Sequence, residues 1–452
     1  MIVMVVSFLQ FGDRITKTMR MNFVYNTRAI IAGLLTLFTV PLHAQEIIGR
    51  FSTSVYGWEK FDTVGTSGNV WLGMQNFQVD VNQGNFTLST SVYGTASLSE
   101  SIGDGAELRV RNLFARYRTE DRTLELRLGR VPVFAGVGVG AVDGGYVKVN
   151  TAGKKLAFTA YGGSNVPGSL VYDHNRDLDK NFLLGAQATG EISTGTRLGV
   201  SYVNRRIERQ SYEGLRPDSL FNPVSVIISP GSRATQMLGL DASHAAGGGI
   251  NLYGRFDYDL NLERTLRGEL SARTAVTDQL TFLANFIYRE PSIPYNSYFT
   301  IFPLSPVKEF EGGVEYALSP TLRASARYAY VGYDGDLSRR LSLGLSTTYL
   351  SVSYSGSNGY AGELSSLYLQ GMYPLMERKI VPTAALSYSS YRLEAGSPDE
   401  TMFAGSLGAV VRAVDHFSFD VQIQLLSNRF MNSDVRGLVK VSYWFNHKLG
   451  IL

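Results

Sequence analysis

The sequence predicts an all-β fold: a transmembrane antiparallel up-and-down β-barrel of about 20 strands (18–22), preceded by a cleaved signal peptide. Three observations predict it. Apolar and polar residues alternate with period two over stretches of about ten residues, repeated along the chain. The connections between stretches alternate between tight turns and longer loops. The longest apolar run sits near the N-terminus, behind arginines and ahead of a small residue.

The 452 residues include no cysteine, 47 glycines, 26 tyrosines and 24 phenylalanines, and 42 Lys+Arg nearly balance 39 Asp+Glu. A hydrophobic content of 44% excludes a disordered chain. The near balance of charge argues against a nucleic-acid partner, which selects a basic face. Without cysteine there is no disulfide framework, Cys-ligated zinc or thiol nucleophile. The mean hydropathy of −0.02 fits strands that average two chemistries.

The apolar run Ala29–Leu42 spans 14 residues, short of the ~20 that a membrane-crossing helix needs. Arg20 and Arg28 precede it and Leu42-His43-Ala44-Gln45 follows, so 19–44 reads as a signal peptide starting at Met19 or Met21. Met1–Phe11 is apolar ahead of the basic residues, the wrong order, and 1–18 reads as a gene-start artefact. Cleavage after Ala44 removes Arg14, Lys17, Arg20, Arg28 and Asp13 and leaves 408 residues with 38 basic and 38 acidic side chains.

From there one domain, 45–445, alternates. Asn251–Leu260 sets Leu252, Gly254, Phe256 and Tyr258 against Tyr253, Arg255, Asp257 and Asp259. The pattern repeats through Thr265–Thr274, Gln279–Arg289, Lys308–Leu318 and Thr321–Val331, and helices do not imitate it. Noisier strands begin near Ile47, Val70, Phe86, Glu107, Thr123, Gly145, Lys155, Asn181, Thr196 and Ala234, and again near Arg339, Tyr349, Glu363, Ile380, Thr401, Phe417 and Val435. Tight turns fall at Asn82–Asn85, Thr119–Arg122, Thr151–Lys154, Ser193–Thr196, Ala245–Gly249, Val276–Asp278 and Ser319-Pro320. Longer loops fall near 131–143, 164–180, 208–233 and 290–307. Ser346–Thr348 lacks turn residues, which sets the spread on the strand count. Such a sheet closes on itself and needs no hydrophobic core.

An Arg or Lys on a lipid face costs about 2–4 kcal/mol at the midplane, so the Leu/Phe/Tyr/Gly face points outward. Arg255, Asp257, Arg267, Glu269, Arg273, Arg289, Glu309, Glu311, Glu315, Arg323 and Arg327 then line a pore, with signs that allow cross-strand pairs. That many charges require a wet lumen. Arg109, Arg111, Arg116, Arg118, Arg122, Arg127 and Arg130 form a second, more basic group; Arg109, Arg111 and Arg127 are candidate pore-lining residues. They serve either as a ladder that steers anions or as charge that keeps the wall wet. Trp58, Trp71 and Trp444 fall near strand ends, as an interface girdle would.

On this pattern the chain resembles Gram-negative outer-membrane β-barrels of the porin-like kind, over about 45–445. The last strand carries the most specific part: Val439, Val441, Tyr443 and Phe445 share one face, like the C-terminal signal that such barrels present to the outer-membrane assembly machinery. The chain departs from the family by continuing past Phe445 in a short tail, 446–452, expected in the periplasm. Leu128-Gly129-Arg130, followed by Gly136, Gly138, Gly140 and Asp143-Gly144, is similar to segments around an early loop in some porin-like barrels. The resemblance implies an outer-membrane location, lipid contacts, passage of small solutes or ions, and room for an oligomer.

Other chemistry is thin. The glycines at 136–145 lack the following helix of a phosphate cradle and read as a flexible loop that bends into the pore. Asp173, Asn175, Asp177 and Asp179 are spaced like the start of a calcium loop without its central Gly or closing Glu, and read as a solvated loop tip. His244 and His416 lie at turns with no orienting acid in view, so no residue is nominated as catalytic, and no cofactor motif is present. Within the loop 290–307, Pro291–Val307 carries Ile293, Tyr295, Tyr298, Phe299 and Phe302 and no charge before Lys308, a candidate constriction or contact loop; 220–230 is similarly apolar. The expected function is passive diffusion through a charged, water-filled lumen. The alternatives are a non-conducting docking barrel and, behind it, a barrel hydrolase.

Overall fold

The computed structural model describes residues 46–448, apart from 62–66, 100–105, 152, 154, 169, 171–176, 208–210, 218, 230–233, 292–304, 361, 395 and 413. The signal peptide expected at 19–44, the residues ahead of it and the last four residues of the tail lie outside the described residues.

Every described element is a strand. The first nine are β1 (Glu46–Phe61), β2 (Ser67–Gln83), β3 (Phe86–Ser97), β4 (Glu107–Arg118), β5 (Leu124–Ala135), β6 (Gly138–Thr151), β7 (Leu156–Asn165), β8 (Phe182–Ser193) and β9 (Thr196–Arg206). Two short strands follow, β10 (Tyr212–Pro217) and β11 (Pro223–Ile228). Then come β12 (Thr235–Ala246), β13 (Ile250–Asp259), β14 (Arg264–Ala275), β15 (Leu280–Arg289), β16 (Val307–Ser319), β17 (Leu322–Tyr333) and β18 (Asp336–Thr347). The last six are β19 (Leu350–Gly359), β20 (Glu363–Met372), β21 (Ile380–Arg392), β22 (Glu400–Val411), β23 (Phe417–Ser427) and β24 (Asp434–His447).

Each strand pairs antiparallel with its chain neighbours, except that β9 passes over β10 and β11 to pair with β12. β24 returns to β1 and closes a 22-stranded barrel. The count sits at the upper end of the expected range. Ser346–Thr348 does turn: Thr347 Oγ1 accepts from the amides of Tyr349 (3.2 Å) and Leu350 (2.9 Å), a turn built by a hydroxyl instead of a glycine. Two expected loops carry strands. Residues 131–143 belong to the β5–β6 hairpin, whose turn is only Gly136-Val137, and 208–233 carries the β10–β11 arm.

The register sorts every side chain onto one of two faces. On β13 to β18 the outward set includes Phe256, Leu270, Phe282, Phe286, Phe310, Tyr328 and Leu343, all exposed in the isolated chain. Its only charges on those strands are Lys308 and Arg339, toward the loop end. The opposite set carries the arginines and glutamates. Arg273 on β14 reaches Glu315 on β16, across β15, at 2.9 Å. Alternate strands stand ~9–10 Å apart, and side chains converge over that span on the concave side of a closed sheet. The charged face is therefore the inner one.

At the closing seam Phe445 lies over Gly49, where a Cβ would collide with its ring. Phe417 and Tyr443 stack beside it, with ring centroids 4.7 Å apart. Tyr443 and Phe445 thus sit on the outer face. The tryptophans divide, against the expectation of a common girdle. Trp71 is outward, beside Gly57. Trp444 and Trp58 are inward, because each lies an even number of residues from the inward serines of its strand, Ser442 and Ser52. The Arg50 guanidinium lies 5.3 Å from the Trp444 ring centroid and donates to Ser442 Oγ at 3.4 Å.

The two-face assignment is checked by paired substitutions at adjacent residues in mid-β18. Leu343→Arg puts a charge on the lipid face and is expected to cost about 2–4 kcal/mol in denaturant unfolding from vesicles. Ser342→Arg, inward, is expected to cost much less than that.

Candidate functional site

The site is the inner wall and what leans on it. β5 runs with β4 as far as Arg130, paired with Leu113, and then leaves the wall. β6 stays paired with β5 to the tip, Ala135 with Gly138, but joins β7 only from Val142 onward. Residues 131–141 are therefore a hairpin with its own ladder and, among the described residues, no strand on either side. It folds inward over β7, β8, β9 and β12. Val131, Val133, Ala135, Val137 and Val142 pack with Tyr161, Leu183, Val203 and Phe114, and with the edges of Tyr146 and Met237. This is a dry cluster inside the barrel, where the sequence predicted no core. The inner wall needed an apolar patch because the hairpin, once detached, buries its valines against it.

Glycine permits the contact. Gly136 has φ +61, and a Cβ there would overlap Ser201 Oγ. A Cβ on Gly138 would overlap the Tyr161 hydroxyl. The Val137 amide donates to Ser201 Oγ (3.0 Å), and Arg255 Nη2 donates to Gly136 O (3.5 Å). Burying a valine is worth about 1.5–3 kcal/mol and a hydrogen bond about 1, so the buried Val131, Val133 and Val137 hold the hairpin more than the polar contacts of its tip do. The opposite side of the hairpin stays open: Phe134 is 80% exposed, and Val139 beside it 53%. The glycine-rich stretch expected to bend into the pore is thus a folded hairpin that does enter the lumen.

A buried fork marks the departure point. Arg130, 4% exposed, grips Asp143 through Nε and Nη2, both at 2.7 Å, and its Nη1 donates to Val110 O (3.1 Å) and Leu170 O (3.3 Å). Below it Glu125 accepts from Arg118 (2.7 Å) and Arg127 (2.5 Å). The Arg127 guanidinium lies 4.6 Å from the Tyr146 ring centroid and 5.6 Å from that of Phe114. Such contacts fix the plane of a guanidinium that would otherwise sweep the lumen. Arg116 donates to Thr87 at 2.9 Å, Arg109 pairs with Glu107 at 2.5 Å, and Arg111 stacks on Tyr93.

The other nominated charges form a girdle on β13 to β18. Arg255 pairs with Asp257 (3.0 Å), and Arg267 with Glu269. Arg327 reaches Glu311 (3.6 Å) and Glu315 (3.3 Å). Arg340, which the sequence reading missed, joins Glu309 and Glu311. It was visible as the only basic residue on the inward parity of β18. Arg289 and Arg323 share the inner face without belonging to this network. On β19 and β20 the wall changes chemistry: Ser351, Ser353 and Ser355 face Gln370, Tyr368 and Ser366. That stretch of the lumen is neutral and hydroxylated; charge returns on the inward parity of β23 and β24, at Asp420, Asp434, Arg436 and Lys440.

The candidate constriction residues Ile293, Tyr295, Tyr298, Phe299 and Phe302 lie outside the described residues, as do Asp173 and Asn175. Asp177 pairs with Lys180 at 3.1 Å, and no group of metal ligands occurs among the described residues. His244 Nδ1 shares a hydrogen bond with Thr196 Oγ1 (2.7 Å) at a turn, and His416 turns the chain with φ +68.

Two substitutions check the hairpin's attachment. Arg130→Met removes the fork on Asp143, whose side chain is 36% exposed, and the bonds to two backbone carbonyls, and is expected to lower unfolding stability by about 1.5–3 kcal/mol. Tyr161→Phe is expected to leave stability unchanged or raise it, because the buried Tyr161 hydroxyl has no hydrogen-bond partner among the described residues.

No protein-family model and no curated protein matches the sequence. Solved structures do match. A chain of the E. coli P pilus tip assembly intermediate PapC-PapD-PapK-PapG is 8% identical over 89% of this chain and 61% of its own, with a TM-score of 0.50. The translocation pore of the P pilus usher PapC is 9% identical over 88% of this chain and 99% of its own (TM-score 0.45). OccAB4 of Acinetobacter baumannii is 8% identical over 89% and 98% (TM-score 0.42). At these identities the likeness is one of fold alone, and the chain's own strand pairing gives that fold: a closed, antiparallel, 22-stranded β-barrel.

Proposed function

We propose that this barrel is a porin-like channel of a Gram-negative outer membrane, through which small solutes and ions diffuse passively. The observation that carries the reading is the inner wall itself. It bears a girdle of arginines and carboxylates, most of them partly exposed, and among the described residues the infolded hairpin covers one sector of it. Charges at this density need water beside them, and a hairpin against one wall narrows a channel without filling it. Arg109, Arg111, Arg127, Arg255, Asp257, Arg267, Glu269, Arg273, Arg289, Glu309, Glu311, Glu315, Arg323 and Arg327 are proposed to line the path. Pairing within the girdle supports weak fixed-charge selectivity there. The Arg109–Arg127 group supports a modest preference for anions. The assembly role of Tyr443 and Phe445 is proposed on their outward position at the closing seam.

The β10–β11 arm favours docking as a second reading. Leu215, Phe221 and Ile227 are exposed on it, and a two-stranded hairpin is marginal alone in water. A hydrolase has less support, because His244 is engaged with a threonine in a turn.

Planar-bilayer recording tests the channel. The native chain is expected to give discrete conductance steps. Gly138→Leu, which cannot sit on Tyr161, is expected to give larger steps as the hairpin lifts. A barrel that stays silent in both forms would sink the channel reading and favour docking.

A further inference from the structure

Between the charge girdle and the closing seam the inner wall is neutral. β19 to β22 carry three charged residues, Glu363, Arg392 and Glu400, all at the loop end, where Arg392 pairs with Glu363 and Arg429 with Glu400 (3.0 Å). Below them the register sets one ring among hydroxyls and an amide. Tyr368 stands in mid-β20 between Ser353 of β19 and Ser387 of β21, with Ser366 and Gln370 next to it on the same face. Its hydroxyl donates to Gln370 Oε1 at 2.7 Å. Two residues of strand span ~7 Å, so a bond to the next inward side chain lays the ring along the wall with one face to the lumen. Tyr368 is 37% exposed. Other inward rings are covered by cations: Arg50 lies over Trp444, Arg111 over Tyr93 and Arg127 over Tyr146. Among the described residues no guanidinium lies over Tyr368.

A bare aromatic face ringed by neutral polar groups suits one class of solute. The π face is negative and attracts the slightly positive C–H groups of a saturated ring. A serine hydroxyl and a primary amide each donate and accept, as a sugar hydroxyl does. A neutral polyhydroxylated molecule therefore exchanges its water for these partners at little cost. An ion gains less, because no opposite charge here offsets the loss of its hydration. An apolar solute covers the ring but leaves the hydroxyls around it without water.

We infer that the wall around Tyr368 is a subsite for neutral saccharides, which stack a pyranose face on the ring and hydrogen-bond to Ser353, Ser366, Gln370 and Ser387. The inference rests on the proposed channel for its wet lumen and names a solute class for one side of it. The two fail separately, because ion conductance needs no saccharide site. A single ring and a few hydroxyls bind weakly, as a solute that must also leave requires.

The test uses the full chain in planar bilayers, with maltotriose added on one side and the ionic current as the readout. Maltotriose is expected to block the current reversibly and to saturate. Polyethylene glycol of similar mass, whose ether oxygens only accept hydrogen bonds, is expected to lower conductance without saturating. Tyr368→Ala is expected to weaken the maltotriose block by roughly two- to tenfold, and Tyr368→Trp, which keeps a ring, to preserve it. If no current flows, binding is read by saturation-transfer NMR on the chain in detergent micelles, with the same variants. Maltotriose binding lost in Tyr368→Ala and kept in Tyr368→Trp would then support the subsite while the channel reading falls, and no binding would overturn both. In a conducting barrel, maltotriose acting like polyethylene glycol, a block indifferent to Tyr368→Ala, or a preference for the acidic trigalacturonate would overturn the subsite while leaving the channel standing.

Discussion

The constraint on which the structure depends is that a backbone in lipid has nowhere to put its N–H and C=O groups except on another strand. β24 must come back to β1, and the seam is built for it: eleven residues of each strand are in register, from Ile47 opposite His447 to Gly57 opposite Gly437. Closure fixes register, and register fixes which side chains meet lipid. A slip of one residue would carry Arg255, Arg267 and Glu311 to the outside together, at several kcal/mol for each arginine. The wall can be left only inward and only by chain that keeps a ladder of its own. The β5–β6 hairpin satisfies both conditions.

That detour explains the two chemistries of the lumen. Where the hairpin lies, the inner wall is apolar and glycine-bearing, and the buried valines outweigh the few polar contacts of the tip. Where it does not lie, the wall is charged or hydroxylated. Charges survive there because they are hydrated and locally paired, each surface pair being worth little. Asp434, 1% exposed, shows the other regime: an inward carboxylate shielded from water and held by Arg436 at 2.6 Å.

Much of this was legible in the sequence, for a physical reason. Alternation is local, so the outward Leu/Phe/Tyr face and the inward Arg/Glu face of β13 to β18 could be read residue by residue. The hairpin's docking was not, because it depends on a contact between Val137 and Ser201, 64 positions apart, that leaves only a cluster of glycines as its trace. Valines at 131, 133, 137 and 142 look like ordinary β residues until their partner surface is known. Trp444 was misplaced because its position near a strand end was weighed and its parity was not. Thr347 hid a turn because hydroxyl-built turns lack the glycine or proline by which turns are recognised. The β10–β11 arm escaped because six-residue strands offer too few alternations to separate from an apolar loop.

The central claim, one wall between two solvents, is tested most directly by thiol accessibility along β18. Single cysteines at positions 341 to 346 would be made in a chain that has none and placed in vesicles. Ser342, Gly344 and Ser346 are expected to react with a charged, membrane-impermeant reagent; Leu341, Leu343 and Leu345 are expected to react only with a lipid-soluble one. Uniform labelling by the charged reagent, or the opposite parity, would contradict the account.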